Sequence, residues 1–214
     1  YTLVTVPLLM VLSLFFAVLL NHKIPLRGFF RSAIYAPAVV STVVVGTVFI
    51  WIFQDQLGLI NYIIELLGGE GINWSNDPRF AMIMVIVATL WQKTGYNMVI
   101  YLAGLQGVPT DLMEAATIDG ASTWQKFRYV TLPLLRKTHV FVMITCMINT
   151  FRSFDLIYTM TQGGPLNATR TIVMYVYDQA FNKNYYGRAA AAGVVLFVFM
   201  VIMTALRIRT EKED

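Results

Sequence analysis

An all-α chain that crosses a membrane several times is the fold the sequence predicts, and three observations predict it. Hydrophobic residues make up 57% of the chain and charged residues only 13%, well below the quarter or so that is charged in a soluble domain. Mean hydropathy is +0.62. The apolar residues also fall in runs of roughly twenty, the length a helix needs to cross a ~30 Å hydrocarbon layer.

Charge and rare residues narrow the function classes. The formal charge of +4 comes from short basic runs beside apolar spans, which suits membrane topology better than a nucleic-acid surface. Cys146 is the only cysteine and lies inside an apolar run, so neither a disulfide framework nor a cysteine metal cluster can form. His22 and His139 lack metal-ligand spacing with acidic partners and read as structural. No span carries a nucleophile–base pair, which argues against an intramembrane enzyme.

Five spans are expected within a membrane domain over 1–206, at about 2–20, 33–53, 80–105, 138–160 and 188–206. Span one starts at once after Tyr1, with Pro7 near its beginning where a missing N–H matters little. Span two contains Pro37 and Gly46, which a membrane helix tolerates when neighbours satisfy the freed backbone groups. Between 54 and 79 the turn signals Gly68-Gly69 and Asn76-Asp77-Pro78 and the acids Asp55, Glu65, Glu70 and Asp77 mark a water-facing connection. Leu59–Leu67 and the Trp74 region suit short interfacial helices. Span three is broken by the polar run Trp91–Asn97, and a mixed loop, 161–187, joins span four to span five.

Orientation follows from Lys and Arg. One set of connections holds Lys23, Arg27, Arg31, Lys126, Arg128, Arg136, Lys137, Arg207, Arg209 and Lys212, and the other only Arg79, Arg170, Lys183 and Arg188. The richer side is taken as cytoplasmic, which places loop 106–137 and the tail 207–214 there and Tyr1 outside. A cytoplasmic N-terminus would then need one further span before Tyr1, six in the intact protein.

Loop 106–137 reads as two helices joined by a bare turn. Thr110 is expected to cap the first, with Asp111 and Glu114 in or near the first turn, where the macrodipole favours acids. Asp119-Gly120 stops it. Ser122 and Gln125 form a capping box that starts the second, whose apolar face holds Trp124, Phe127 and Leu134, while Lys126 and Arg128 point elsewhere. Pro133 breaks it before span four. The residue types alone fit either a device inserted into a partner's groove or a loop lying on the lipid surface.

Glu114-Ala115-Ala116, then Asp119-Gly120-Ala121, Phe127 and Leu132-Pro133 resemble, position by position, the signature of permease subunits of binding-protein-dependent ABC importers. Thr161-Gln162-Gly163-Gly164-Pro165, with Thr169 and Tyr177 to Phe181, is similar to the outer loop of the sugar and glycerol-phosphate permeases related to the maltose system. The resemblance implies a type I ABC importer permease core that forms half of a membrane pathway. It implies a second permease subunit, two cytoplasmic ATPase subunits that hold ATP and Mg, an extracytoplasmic solute-binding protein facing Gly163, Gly164 and Pro165, and a cytoplasmic (inner) membrane of a bacterium or archaeon. The chain itself lacks G-x-x-x-x-G-K-[ST], so no cofactor is expected on it. Lys137, where many members carry proline, is expected to leave the start of span four less sharply broken. A polyamine or peptide permease of the same superfamily, and a secondary transporter subunit, are the rival readings.

Two polar stripes are candidates for the pathway. Gln92, Lys93, Tyr96 and Asn97 recur at three- and four-residue steps on span three, and Asn149, Arg152 and Asp155 share a narrow arc of span four, Arg152 and Asp155 as an i, i+3 pair. An ionisable group at membrane depth costs at least about 2.5–3.5 kcal/mol on insertion scales. Lining a pathway explains them; so do snorkelling of Lys93 and a helix-tying role for Arg152 with Asp155.

Overall fold

The structure is a computed structural model and describes residues 1–22 and 24–212; Lys23, one of the cations used for orientation, and Glu213 and Asp214 of the tail lie outside the described residues. Every regular element among the described residues is helical. In chain order they are α1 (Thr2–Asn21), α2 (Arg27–Tyr35), α3 (Thr42–Ile52), α4 (Leu59–Leu66) and α5 (Pro78–Gln106), then α6 (Thr110–Ile118), α7 (Thr123–Lys126) and α8 (Leu132–Leu134), and finally α9 (Arg136–Phe151), α10 (Asp155–Thr161), α11 (Ile172–Tyr177) and α12 (Tyr186–Lys212). By length and composition α1 and Tyr186–Arg209 of α12 can each cross a membrane, and two bent helix pairs can do so as broken spans.

The expected span at 33–53 is one of those pairs. Arg27–Val39 and Thr42–Ile52 meet at 98°, with a 3₁₀ turn at Ala36–Val39 and extended backbone at Val40 and Ser41. Pro37, having no N–H to continue the ladder, opens this 3₁₀ turn rather than riding inside a helix. Span four is broken too: α9 ends at Phe151, and α10 restarts at Asp155. Span three, by contrast, is unbroken. Its polar run Trp91–Asn97 lies within the 29-residue α5, about 43 Å long at 1.5 Å per residue. The tail from Arg207 is no separate segment, because α12 runs on through it to Lys212.

Helix α5 holds the body together, touching α1 along its length and also α2, α3, α9 and α10. Its C-terminal half joins a core with Leu9 and Ala17 of α1 and Val142 and Cys146 of α9. Its N-terminal half joins a second core with Phe49 of α3 and Leu156 and Ile157 of α10. The polar stripe lies between the two. Lipid tails are as apolar as leucine, so such helices associate through close van der Waals contact at small residues. Gly46, Gly95 and Gly104 stand at the crossings with α10, α2 and α9.

The connection 54–79 is a built cap. Asn61, only 1% exposed, donates to the carbonyls of Asp55 (2.7 Å) and Ile72 (2.8 Å) and accepts from Ile72 N–H (3.1 Å) and Trp74 Nε1 (2.8 Å). Trp74 is not on an interfacial helix; it is buried edge-on against Phe53 and Phe80. Asn61→Leu would orphan those partners at about 1–3 kcal/mol for each buried group left unsatisfied. The expected result is a lower thermal midpoint and new proteolytic cleavage within 54–79; an unchanged midpoint and digest would contradict the role given to Asn61.

Candidate functional site

Between the two cores the stripes of α5 and α9 face one cleft of about 60 Å³, room for a few waters but not for a sugar ring. Gln92, Lys93, Tyr96, Asn97 and Asn149 all line it, so the structure brings five of the seven candidate pathway residues together. Arg152 and Asp155 do not line it. They form no ion pair, because the helix that would have set them at i, i+3 ends at Phe151.

Gln92 does more than line the cleft. Its Nε2 donates to the Val40 carbonyl (3.0 Å) and to Thr42 Oγ1 (3.3 Å), both at the break in span two. The freed carbonyl thus has a buried partner, as a broken membrane helix requires. Sequence reasoning took Gln92 for a pathway group alone, since nothing local marks a bond across a separation of 52 residues. Similarly, Thr171 Oγ1 donates to the Ser153 carbonyl at the break in span four (3.2 Å). Gln92→Leu should lower the thermal midpoint of the solubilised protein, consistent with a loss of about 1–3 kcal/mol; a midpoint equal to wild type would refute the bond's importance.

At the α9 N-terminal end stands the helix–turn–helix. The first helix has Pro109 at its N-cap position and no side-chain cap, because Thr110 is already helical. It ends as expected: Gly120 adopts φ +78, and Ala121 N–H to Ala116 O (2.9 Å) with Gly120 N–H to Thr117 O (3.1 Å) form a Schellman motif. Ser122 and Gln125 make the reciprocal capping box, with Ser122 N–H to Gln125 Oε1 at 2.7 Å and Gln125 N–H to Ser122 Oγ at 3.3 Å. Two adjacent stop and start signals therefore fix the angle of the turn.

The second helix widens into a π-helical turn at Phe127–Thr131 and continues through Pro133 to Leu134. Pro133 is tolerated in it. The break falls two residues later, at Leu135, where Thr123–Leu134 and Arg136–Phe151 meet at 65°, so the start of span four is sharply bent despite Lys137. Lys126 turns back toward the first helix, its Nζ donating to Thr117 Oγ1 at 3.1 Å.

No residue of α6 is buried. Glu114, Ala115, Asp119 and Gly120 are exposed, Ala116, Ala121, Phe127 and Leu132 half-buried, and Ile118 is 86% exposed. Glu114 makes no hydrogen bond or ion pair with any described residue. The segment presents a bare tip, two exposed carboxylates, Glu114 and Asp119, whose side chains have no partner among the described residues, and one uncovered isoleucine.

At the other end of α9 lies the loop with Gly163, Gly164 and Pro165. Gly163 has φ +85, and the Gly164–Pro165 bond is cis. Thr169, fully buried, donates to Gly164 O (2.9 Å) and meets Thr161 Oγ1 at 2.7 Å, which fixes the loop's shape. Beside it Asp178 is held by Arg170, by Lys183 at 3.3 Å and by Asn182 Nδ2 at 3.0 Å. The Asn182 bond above all, then the two cations, keep its carboxyl below the usual carboxylate range. Sequence reasoning missed this cluster, whose members come from a loop, a π-helical turn and the turn after it.

Residues 9–210 match the model of the family described as the binding-protein-dependent transport system inner membrane component. The trehalose/maltose transport system permease protein MalF of Thermococcus litoralis is 34% identical over 209 residues, 98% of this chain and 70% of that protein. The arabinooligosaccharides transport system permease protein AraP of Bacillus subtilis is 37% identical over 212 residues, 98% of this chain and 68% of that protein. A bacterial alginate ABC transporter, solved in complex with an alginate pentasaccharide-bound periplasmic protein, has a chain of the same fold, with a TM-score of 0.82 at 20% identity over 99% of this chain and 73% of that one. This chain belongs to the family of binding-protein-dependent transport system inner membrane components, the permease subunits of ABC importers.

Proposed function

We propose that the chain forms half of the membrane pathway of an ATP-driven importer for a sugar or related carbohydrate, and that Glu114–Pro133 docks on a separate ATPase subunit. The observation that carries the coupling role is the rigid, exposed turn, fixed by a Schellman motif and a capping box and bare of side chains at its tip. A carboxylate without a partner among the described residues suits a basic group on another chain. The solute class rests on relatives named for maltose and arabinooligosaccharide transport. Gln92, Tyr96, Asn97 and Asn149 offer the donors and acceptors that hydroxyl groups need.

On this reading a second permease completes the pathway, two ATPase subunits hold ATP and Mg, a solute-binding protein docks at the end carrying Gly163–Pro165, and the helix–turn–helix and C-terminus are cytoplasmic. The 60 Å³ cleft then belongs to a closed state that must widen to pass solute. The test is to purify the chain from native membranes and reconstitute what accompanies it into vesicles. An ATPase should accompany it and ATP should drive carbohydrate uptake. Purification without an ATPase would overturn the importer reading, and ATP-driven uptake of a polyamine or peptide alone would overturn the carbohydrate.

A further inference from the structure

The loop between α10 and α11 and the turn beyond α11 enclose a second pocket of about 300 Å³, at the low end of the volumes that hold small molecules. One side is formed by the rings of Tyr158 and Tyr177, 5.4 Å apart at 66°. The other is polar: Gln162, Asn167, Asn182 and the Arg170–Asp178–Lys183 cluster. Tyrosine rings beside a fan of amide, guanidinium and carboxylate groups suit a pyranose, whose C–H groups pack on aromatic carbon while its hydroxyls hydrogen-bond.

The rings do not stop at the pocket. Tyr177 meets Phe181 at 5.2 Å and Phe154 at 5.1 Å, and Phe154 stacks on Tyr158 at 5.0 Å and 20°. Phe154 follows Ser153, which lines the inner cleft. An aromatic row therefore runs from the 300 Å³ pocket toward the 60 Å³ cleft. Only the outer of the two is large enough for a sugar ring in this conformation.

We propose that the pocket walled on one side by Tyr158 and Tyr177 and on the other by the Arg170–Asp178–Lys183 cluster is a carbohydrate subsite at the outer mouth, from which a sugar ring passes along Phe154 to the inner cleft. The subsite rests on the carbohydrate-importer reading. It adds a waiting position formed by this chain alone, distinct from the α5–α9 cleft and held in shape by the Arg170–Asp178 pair.

The test uses the complete transporter in vesicles with its binding protein, and maltotriose, lactose and arabinotriose as probes. Tyr177→Ala and Tyr158→Ala should each lower the sugar moved per ATP hydrolysed about tenfold, equivalent to about 1.4 kcal/mol, while Tyr177→Phe, which keeps the ring, stays within about twofold of wild type. Alanine variants that keep the wild-type ratio would overturn the subsite. So would equal loss in alanine and phenylalanine variants with loss of stimulation by the binding protein, which would make the surface a protein contact instead. If the wild-type complex moves none of the three sugars, the carbohydrate reading itself fails, and the variants play no part in that outcome.

Discussion

Glu114→Lys is expected to abolish ATP-driven uptake while the protein still folds and inserts at wild-type levels. The side chain is exposed and bonds to no described residue, so the change should alter stability by no more than about 0.5 kcal/mol. Against a basic group on an ATPase the same change replaces attraction by like-charge repulsion, a difference of several kcal/mol, and so a loss of a hundredfold or more on the scale of about 1.4 kcal/mol per factor of ten. Uptake rate, amount in the membrane and ATPase copurification should be read together. Normal uptake by the variant would contradict the coupling role.

Gly95→Val should act at the opposite level, on assembly of the fold. A Cβ at Gly95 would stand 2.0 Å from the Ile34 carbonyl oxygen and 2.8 Å from Tyr35 Cα. Both are backbone atoms and cannot rotate away. To admit a side chain, α2 must leave α5, and the Gln92 bond to Val40 lies one turn away on the same face. Overpacking of this kind costs about 1–3 kcal/mol or more. The expected outcome is a marked fall in folded yield and thermal midpoint; a variant as stable as wild type would show that the α2–α5 crossing is looser than described.

Where structure depends on neighbours in sequence, the chain is legible. The run 2–20, the Gly120 stop and the Ser122–Gln125 box all lie where their local chemistry puts them. Where it depends on distant partners, it is not. Pro37 reads as tolerated inside a span, yet the helix breaks there, and the partner of the freed Val40 carbonyl is Gln92, far along the chain. The polar run at 91–97 reads as an interruption, but it lies within the unbroken α5, and Gln92, Lys93, Tyr96 and Asn97 of it line the cleft. Arg152 and Asp155 stand at i, i+3 only on a continuous helix, and a three-residue break between α9 and α10 removes the pairing. At Pro133 a π-helical turn, which carries no sequence signature, absorbed the proline and moved the bend to Leu135.

The outer pocket shows the same division. Tyr177 to Phe181 stood out as part of a family loop, but its ring contacts with Phe154 and Tyr158 arise only when α10 and α11 are brought side by side. Glu114, by contrast, needed no tertiary information: its exposure follows from a short helix with a marked start and stop between two apolar spans.

The most direct test of the central claim, that Glu114–Pro133 docks on a separate ATPase, is a photo-crosslinking residue at Ile118, 86% exposed at the end of α6. Irradiated in native membranes, it should give one adduct with a cytoplasmic ATPase subunit, weakened by Glu114→Lys. Adducts with lipid alone would show that the segment lies on the membrane surface and would contradict the account.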